Sequence, residues 1–185
     1  MTTARRSLYP HRMASEPGFT LVELIAVIVI IGILGAVAAG RFLGRAPFDS
    51  VAYADQSRSL LRYAQKVAIA QNRNVYVRIT AGGVALCYQA ACAVSDHVLA
   101  PGGANSGSSA TKALCNDSTW ACEAPPQQVR ITPATTFYFD PVGKPFAVGD
   151  APPTSVSSFA GLSMVVTASE SVRTIAVEME TGYVH

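Results

Sequence analysis

An α+β fold, with one long N-terminal helix followed by an antiparallel β-sheet, is what this sequence predicts. Three observations carry that expectation. Residues 18–39, GFTLVELIAVIVIIGILGAVAA, form an apolar run interrupted by a single acid, Glu23. Helical spacing of apolar residues then continues to about Asn72. After Asn74 the period becomes alternating, the mark of strands with one buried face. Helix and strand segregated along a chain favour an α+β domain over an alternating α/β one. The chain divides accordingly into 1–18, a polar leader; 19–40, an apolar helix; 41–72, the polar half of that helix; and 73–185, a β-rich domain.

The apolar segment comes first. From Phe19 to Ala39 a helix extends roughly 31 Å, enough to cross a bilayer. The leader holds Arg5, Arg6 and Arg12 against Glu16, whereas the eleven basic and eleven acidic residues that follow cancel. All the surplus positive charge thus lies before the apolar run. By the positive-inside rule the N-terminus stays in the cytoplasm and the C-terminal part is exported. An ordinary signal peptide would be cut after its apolar core at a small-residue site. Here the distinctive junction, Gly18–Phe19, lies before it.

Beyond the apolar run, Phe48, Val51, Leu60, Leu61, Ala64, Val67 and Ala68 recur at helical spacing, with Pro47 as a candidate kink or break. Arg58, Arg62 and Lys66 form an i, i+4, i+8 row, read as a solvated helix face rather than a stripe for nucleic acid or lipid. Residues 75–80 and 83–88 are expected as two strands around Ala81-Gly82-Gly83. Residues 100–111, APGGANSGSSAT, contain little to bury and are expected to be a long mobile loop. Val129–Thr132 and Thr136–Phe139 are short strands, followed by the turn Asp140-Pro141-Val142-Gly143. Residues 162–168 and 172–179 read as a hairpin around Ser169-Glu170-Ser171.

Cys87, Cys92, Cys115 and Cys122 are an even set, all in the exported part, where disulfides persist. Their spacings suit zinc poorly, and His97, the one histidine near them, reads as a surface loop residue. Of the three possible connectivities the local pairs Cys87–Cys92 and Cys115–Cys122 are favoured, each closing a short segment.

Gly, an aromatic residue, Thr-Leu-Val-Glu and an apolar stretch resemble the processing signature of type IV pilins and type II secretion pseudopilins. The segment FYFDPVGKP at 137–145 and the ending IAVEMETGYV are similar to the GspH/FimT-like minor pilins and pseudopilins, including MSHA-type minor pilins. The resemblance implies a pilin-like fold and cleavage after Gly18 by a membrane prepilin peptidase, which then methylates the new amino group of Phe19. It implies that Glu23 pairs with the Phe19 amine of a neighbouring subunit. Its partners would be other pilin or pseudopilin subunits, the peptidase and an inner-membrane assembly platform. It places the protein in the bacterial inner membrane with a periplasmic domain, then in a pilus or pseudopilus.

Physical chemistry bears on the same residues. A carboxylate inside an apolar helix costs about 2.5–3.5 kcal/mol on insertion scales, so Glu23 needs a counter-charge or a place near the head groups. The helix dipole also favours an anion at that end. Gly32, Ala36, Gly40 and Gly44 recur every four residues, a small-residue stripe that permits close helix packing. Many pilins carry a proline where this chain has Gly40.

No catalytic constellation is present: no nucleophile has a placed histidine base, and neither a phosphate loop nor a paired metal motif occurs. The expectation is a chain that is not an enzyme, with no cofactor and no metal. A neutral exported part disfavours nucleic acid, whose affinity rests on phosphate contacts. The function expected is a minor subunit at a filament tip or in its initiation. A major shaft subunit and a tip module binding DNA, a surface or a secreted substrate are the alternatives.

Overall fold

The structure, a computed structural model, describes residues 19–42, 46–150 and 155–185, with the backbone alone for 37–42, 46 and 47. It forms two units, residues 1–44 and 45–185.

The first unit contributes helix α1, Leu21–Phe42. Thr20 begins it: its Oγ1 accepts the Glu23 backbone N–H at 3.2 Å, and its carbonyl accepts Leu24 N–H at 3.1 Å. That is the hydroxyl half of a Thr-x-x-Glu capping box.

The second unit opens with α2, Ala46–Gln71. Pro47 sits in its first turn, where a missing N–H leaves no hydrogen bond unmade. It therefore begins a helix rather than kinking one. Eight strands follow: β1 Val75–Thr80, β2 Gly83–Cys87, β3 Cys122–Glu123, β4 Arg130–Thr132, β5 Thr135–Phe139, β6 Pro145–Ala147, β7 Leu162–Ala168 and β8 Ser171–Val177. They make a five-stranded sheet, β3-β2-β1-β5-β6, and a three-stranded one, β4-β7-β8, antiparallel throughout. A short helix, α3, spans Ser109–Cys115 between β2 and β3.

One face of α2 supplies the core. Leu61, Ala64 and Ala68 are completely buried and pack with Val77, Phe137, Phe139, Met164 and Ile175. β1 alternates as its period requires, burying Val75, Val77 and Ile79 and turning Arg78 to solvent, whereas β2 is buried throughout. Fully burying a side chain such as Leu61 is worth about 1.5–3 kcal/mol. Tyr53 and Ala54 also belong to this face, although helical spacing had suggested Phe48 and Val51. Phe48 instead points outward, 78% exposed.

The hairpin β1–β2 turns on Ala81-Gly82. Gly83, with φ +155°, lets β2 approach β3 closely, for a Cβ there would lie 2.3 Å from the Glu123 carbonyl oxygen. The C-terminal residues complete the small sheet. His185 and Ala176 exchange both backbone hydrogen bonds, and Glu178 N–H donates to Tyr183 O. Two side chains of α2 hold that tail: Arg62 Nε donates to Val184 O at 3.0 Å, and Gln65 Nε2 to Thr181 O at 3.0 Å and Gly143 O at 2.9 Å. Gly182, with φ +67°, makes the fit possible, since a Cβ would sit 2.5 Å from Gly143 O. The row Arg58, Arg62, Lys66 is thus more than a solvated face: Arg58 pairs with Asp55, and Arg62 pins the tail.

Three expectations need correction. The sequence after the helices was expected to hold strands only, yet α3 is present. Residues 100–111 are not a long loop without structure: Pro101–Gly103 form a 3₁₀ turn and the stretch runs into α3. Composition concealed this because the ordering partner, Glu123, lies twelve residues beyond Thr111. His97 is no surface loop residue; it stacks on Trp120 with ring centroids 3.6 Å apart.

Candidate functional site: the N-terminal helix and the head that carries it

The apolar helix presents its side chains outward. Leu21 (74%), Ile31 (62%) and Leu34 (62%) are representative, and no described side chain from Phe19 to Ala36 is buried. A helix apolar on every side is stable only inside lipid or among other helices. Glu23 occupies the third helical position, close to Phe19 in sequence, and its carboxylate has no hydrogen-bond or ion-pair partner among the described residues. Gly32 and Ala36 lie on α1, Gly40 on its last turns, and Gly32 has no side chain packed against it. Gly18 and Gly44 lie outside the described residues. Among the described residues no helix is long and apolar enough to cross a membrane. The described side chains of α1 end at Ala36, about 22 Å from Leu21, short of the full segment Phe19–Ala39.

The head is built around a different carboxylate. Glu123, in β3, is 6% exposed, and burying an acid demands hydrogen bonds. Ser106 donates its N–H to Oε1 at 2.7 Å and its hydroxyl to Oε2, and Thr111 Oγ1 donates to Oε2 at 3.0 Å. Thr111 in turn accepts Ala124 N–H at 3.1 Å. Ser108 caps α3 by accepting Thr111 N–H, and Asn116 ends that helix in the left-handed region. Asn105 adds two more ties, to Asp117 O and Trp120 O. Tyr53 reaches from α2 to the Glu123 carbonyl at 3.2 Å, and burial pushes its phenol well above its ordinary range.

The cysteines bracket this assembly. Cys87 is joined to Cys92 and Cys115 to Cys122, and among the described residues no cysteine is free. The first bridge closes the start of the β2–β3 connection; the second ties the end of α3 to β3. Trp120 lies against the second bridge, its indole N–H donating to Leu86 O at 2.8 Å. Asp117, held below the usual carboxylate range by the Thr119 N–H and then its hydroxyl, lies 3.6 Å from His97 Nδ1. Among the described residues no group of His, Cys, Asp and Glu has the arrangement of a metal site. Sequence reasoning missed Glu123, Ser106 and Thr111. The one local signal was Ser108 three residues before Thr111, a cap without an apolar run behind it.

Fold and site together define a class: a folded α+β head carrying, ahead of it, an apolar helix that is complete only in lipid or against other helices. Residues 13–39 match the model of the prokaryotic N-terminal methylation motif. The chain is 37% identical over 109 residues to the type IV narrow pilus major component PilA5 of Thermus thermophilus, covering 58% of this chain and 78% of that one. The chain belongs to the type IV pilin family. Among solved structures, the type IV minor pilin FimU of Pseudomonas aeruginosa is similar with a TM-score of 0.42 and 13% identity, over 72% of this chain and 89% of that one. At that score the likeness carries no argument. Membership implies a membrane-anchored pilus subunit that assembles with other pilin subunits, a structural role rather than a catalytic one.

Proposed function

We propose that the chain is a minor pilin or pseudopilin, made as a precursor and cut after Gly18 by a prepilin peptidase that methylates Phe19. Residues 1–18 are then the cytoplasmic leader, 19–40 the membrane and filament-core helix, 41–72 its periplasmic continuation and 73–185 the periplasmic head. The observation that carries this reading is α1 itself, apolar on every described side with one carboxylate in its first turn. Such a helix is held first by lipid and then by neighbouring helices. Glu23 meets the Phe19 amine of an adjacent subunit, where opposite charges at close range in a low dielectric offset each other's desolvation. Gly32, Ala36, Gly40 and Gly44 allow close approach along the helix. An inner-membrane platform adds the subunit at the tip or during initiation of a type IV pilus or type II secretion pseudopilus.

A second reading, a major subunit of the shaft, is favoured by the similarity to a major pilus component. Two measurements test these readings. Mass analysis of the mature N-terminus should give N-methylphenylalanine at Phe19; a start beyond Ala39 would defeat prepilin processing. Subunit abundance in sheared fibres should be low beside a dominant pilin. If this chain dominates, the shaft reading replaces the minor one.

A further inference from the structure

The face of the five-stranded sheet turned away from α2 carries a charge that the fold does not use. Arg78 projects there from β1, between the core residues Val77 and Ile79. Arg58, Arg62 and Arg73 each have a partner: Asp55, the Val184 carbonyl and the Tyr88 ring, 3.6 Å from its centroid. The Arg78 guanidinium has no hydrogen bond, ion pair or ring contact among the described residues.

Beside it the register opens a hollow. Thr136, Arg78, Ala85 and Cys122 stand in one row across β5, β1, β2 and β3. The Ala85 methyl is short between two longer neighbours, and a cavity of about 240 Å³ lies there. Arg78 and Thr80 line it from β1; Leu114, Trp120 and Cys122 line it from α3 and the stretch into β3. No Asp or Glu lines it among the described residues. The Thr80 hydroxyl is engaged, donating to Gly83 O at 3.3 Å and accepting the Gly82 N–H at 3.2 Å. The Trp120 indole N–H is engaged on Leu86 O. Among the described residues the one unengaged polar side chain of the lining is thus a cation.

We propose that this cavity binds a small organic acid, a single carboxylate on an apolar ring. The Arg78 guanidinium takes the carboxylate, since its planar fork matches both oxygens. The ring lies against Leu114 and Trp120. A sugar would bring hydroxyls that no further side chain of the lining is free to meet. The volume is below the roughly 300–1,000 Å³ of drug-sized sites, which favours a ring and its acid over a longer body. The walls are preformed. Cys115–Cys122 ties α3 to β3, and Leu114 presses on the β1–β2 turn, where a Cβ on Gly83 would lie 2.7 Å from its Cδ2. A site of this kind loses little to ordering when it binds. The proposal goes beyond the filament role and holds for a minor or a major subunit alike.

Trp120 is the one tryptophan of the chain, so its fluorescence reports on the cavity in the full-length protein, and ligand-observed NMR supplies an independent readout. Phenylacetate should bind with a millimolar or lower dissociation constant. The neutral isostere phenylacetamide should bind about tenfold more weakly or worse, having no charge to offer Arg78. Arg78→Gln, at an exposed position, should keep the melting temperature and reduce both ligands to the same weak affinity. Leu114→Ala should weaken both by a similar factor and preserve their ratio. Equal affinity of the unsubstituted chain for the two ligands would overturn the proposal. So would an undiminished preference for the acid in Arg78→Gln, or no binding by either readout up to roughly 10 mM. Tighter binding of N-acetylphenylalanine than of phenylacetate would also overturn it, because the cavity would then read the end of a peptide chain.

Discussion

Two glutamates separate the two units of this protein. Glu23 sits on an apolar helix with its carboxylate unpartnered among the described residues, while Glu123 is buried in the head and receives three hydrogen bonds from Ser106 and Thr111. Both place an acid among apolar side chains, where an unsatisfied charge is costly. The head answers its carboxylate from within, using hydroxyls and a backbone N–H twelve to seventeen residues away in sequence. On α1 the carboxylate has no partner among the described residues, and under the proposed function it is left for a neighbouring subunit. A finished domain and an unfinished interface therefore read differently at the level of one side chain.

The sharpest way to break this contrast is to remove each acid in turn. Glu23→Ala should leave the melting temperature of the head unchanged and disulfide pairing intact, yet lower incorporation into filaments by tenfold or more. The Phe19 amine of the neighbour would then be an unpaired buried cation. Normal incorporation, measured by quantitative immunoblot of sheared fibres, would show that Glu23 is merely tolerated at the start of its helix.

Glu123→Ala should do the reverse. Removing the acceptor strands the hydroxyl of buried Thr111, at about 1–3 kcal/mol, while the N–H and hydroxyl of the exposed Ser106 can turn to water and add less. An unfolding loss of about 3 kcal/mol in urea is expected, together with faster hydrogen exchange in residues 105–112. A loss below about 0.5 kcal/mol would mean that composition, not Glu123, describes this loop, and the contrast between the two acids would fail.

How much of this was legible is clear from where each feature keeps its cause. The helix, β1 and β7 carry their periodicity within themselves, so the sequence displays them, while β2, β5 and β8 are legible as short β-branched or aromatic runs bounded by turn residues. β3 and β6 are two and three residues long, too short for any period to show. The order of residues 100–111 is invisible locally because Gly, Ser and Ala bury little, and the acceptor that holds them lies beyond the loop. His97 had the same problem: its partner Trp120 comes 23 positions later, and stacking leaves no spacing signal. The exposed position of Phe48 shows the converse. Helical spacing marks a residue as apolar and periodic, but not as facing this chain's own core. Glu23 and Phe19 stood out because a motif, rather than a period, named them.

A smaller effect sharpens the comparison within the head. Asp150 accepts the Ser158 N–H first, then the Ser158 hydroxyl and the Ala147 N–H, which hold its carboxyl below the ordinary range. A depressed pKa contributes stability that is fully present above the unfolded value of about 3.9. That contribution is lost as pH falls through the lower folded value. Protease cleavage near Ser158 should therefore rise only at pH below about 3.9, and Asp150→Asn should make it independent of pH in that range. Cleavage rising already near neutrality would place the cause elsewhere.

The pairing of His185 with Ala176 has a practical side for anyone labelling this protein. Among the described residues the tail matches backbone groups of β8 as far as Ala176, and none pairs with the outer edge from there toward Val172. A peptide fused after His185 would be delivered in register along that edge, antiparallel to Thr174 and Val172. An alternating, apolar epitope there would be drawn into the sheet and masked from its antibody. A fusion that begins with proline and carries like charges would stay free, because proline offers no N–H to an open strand.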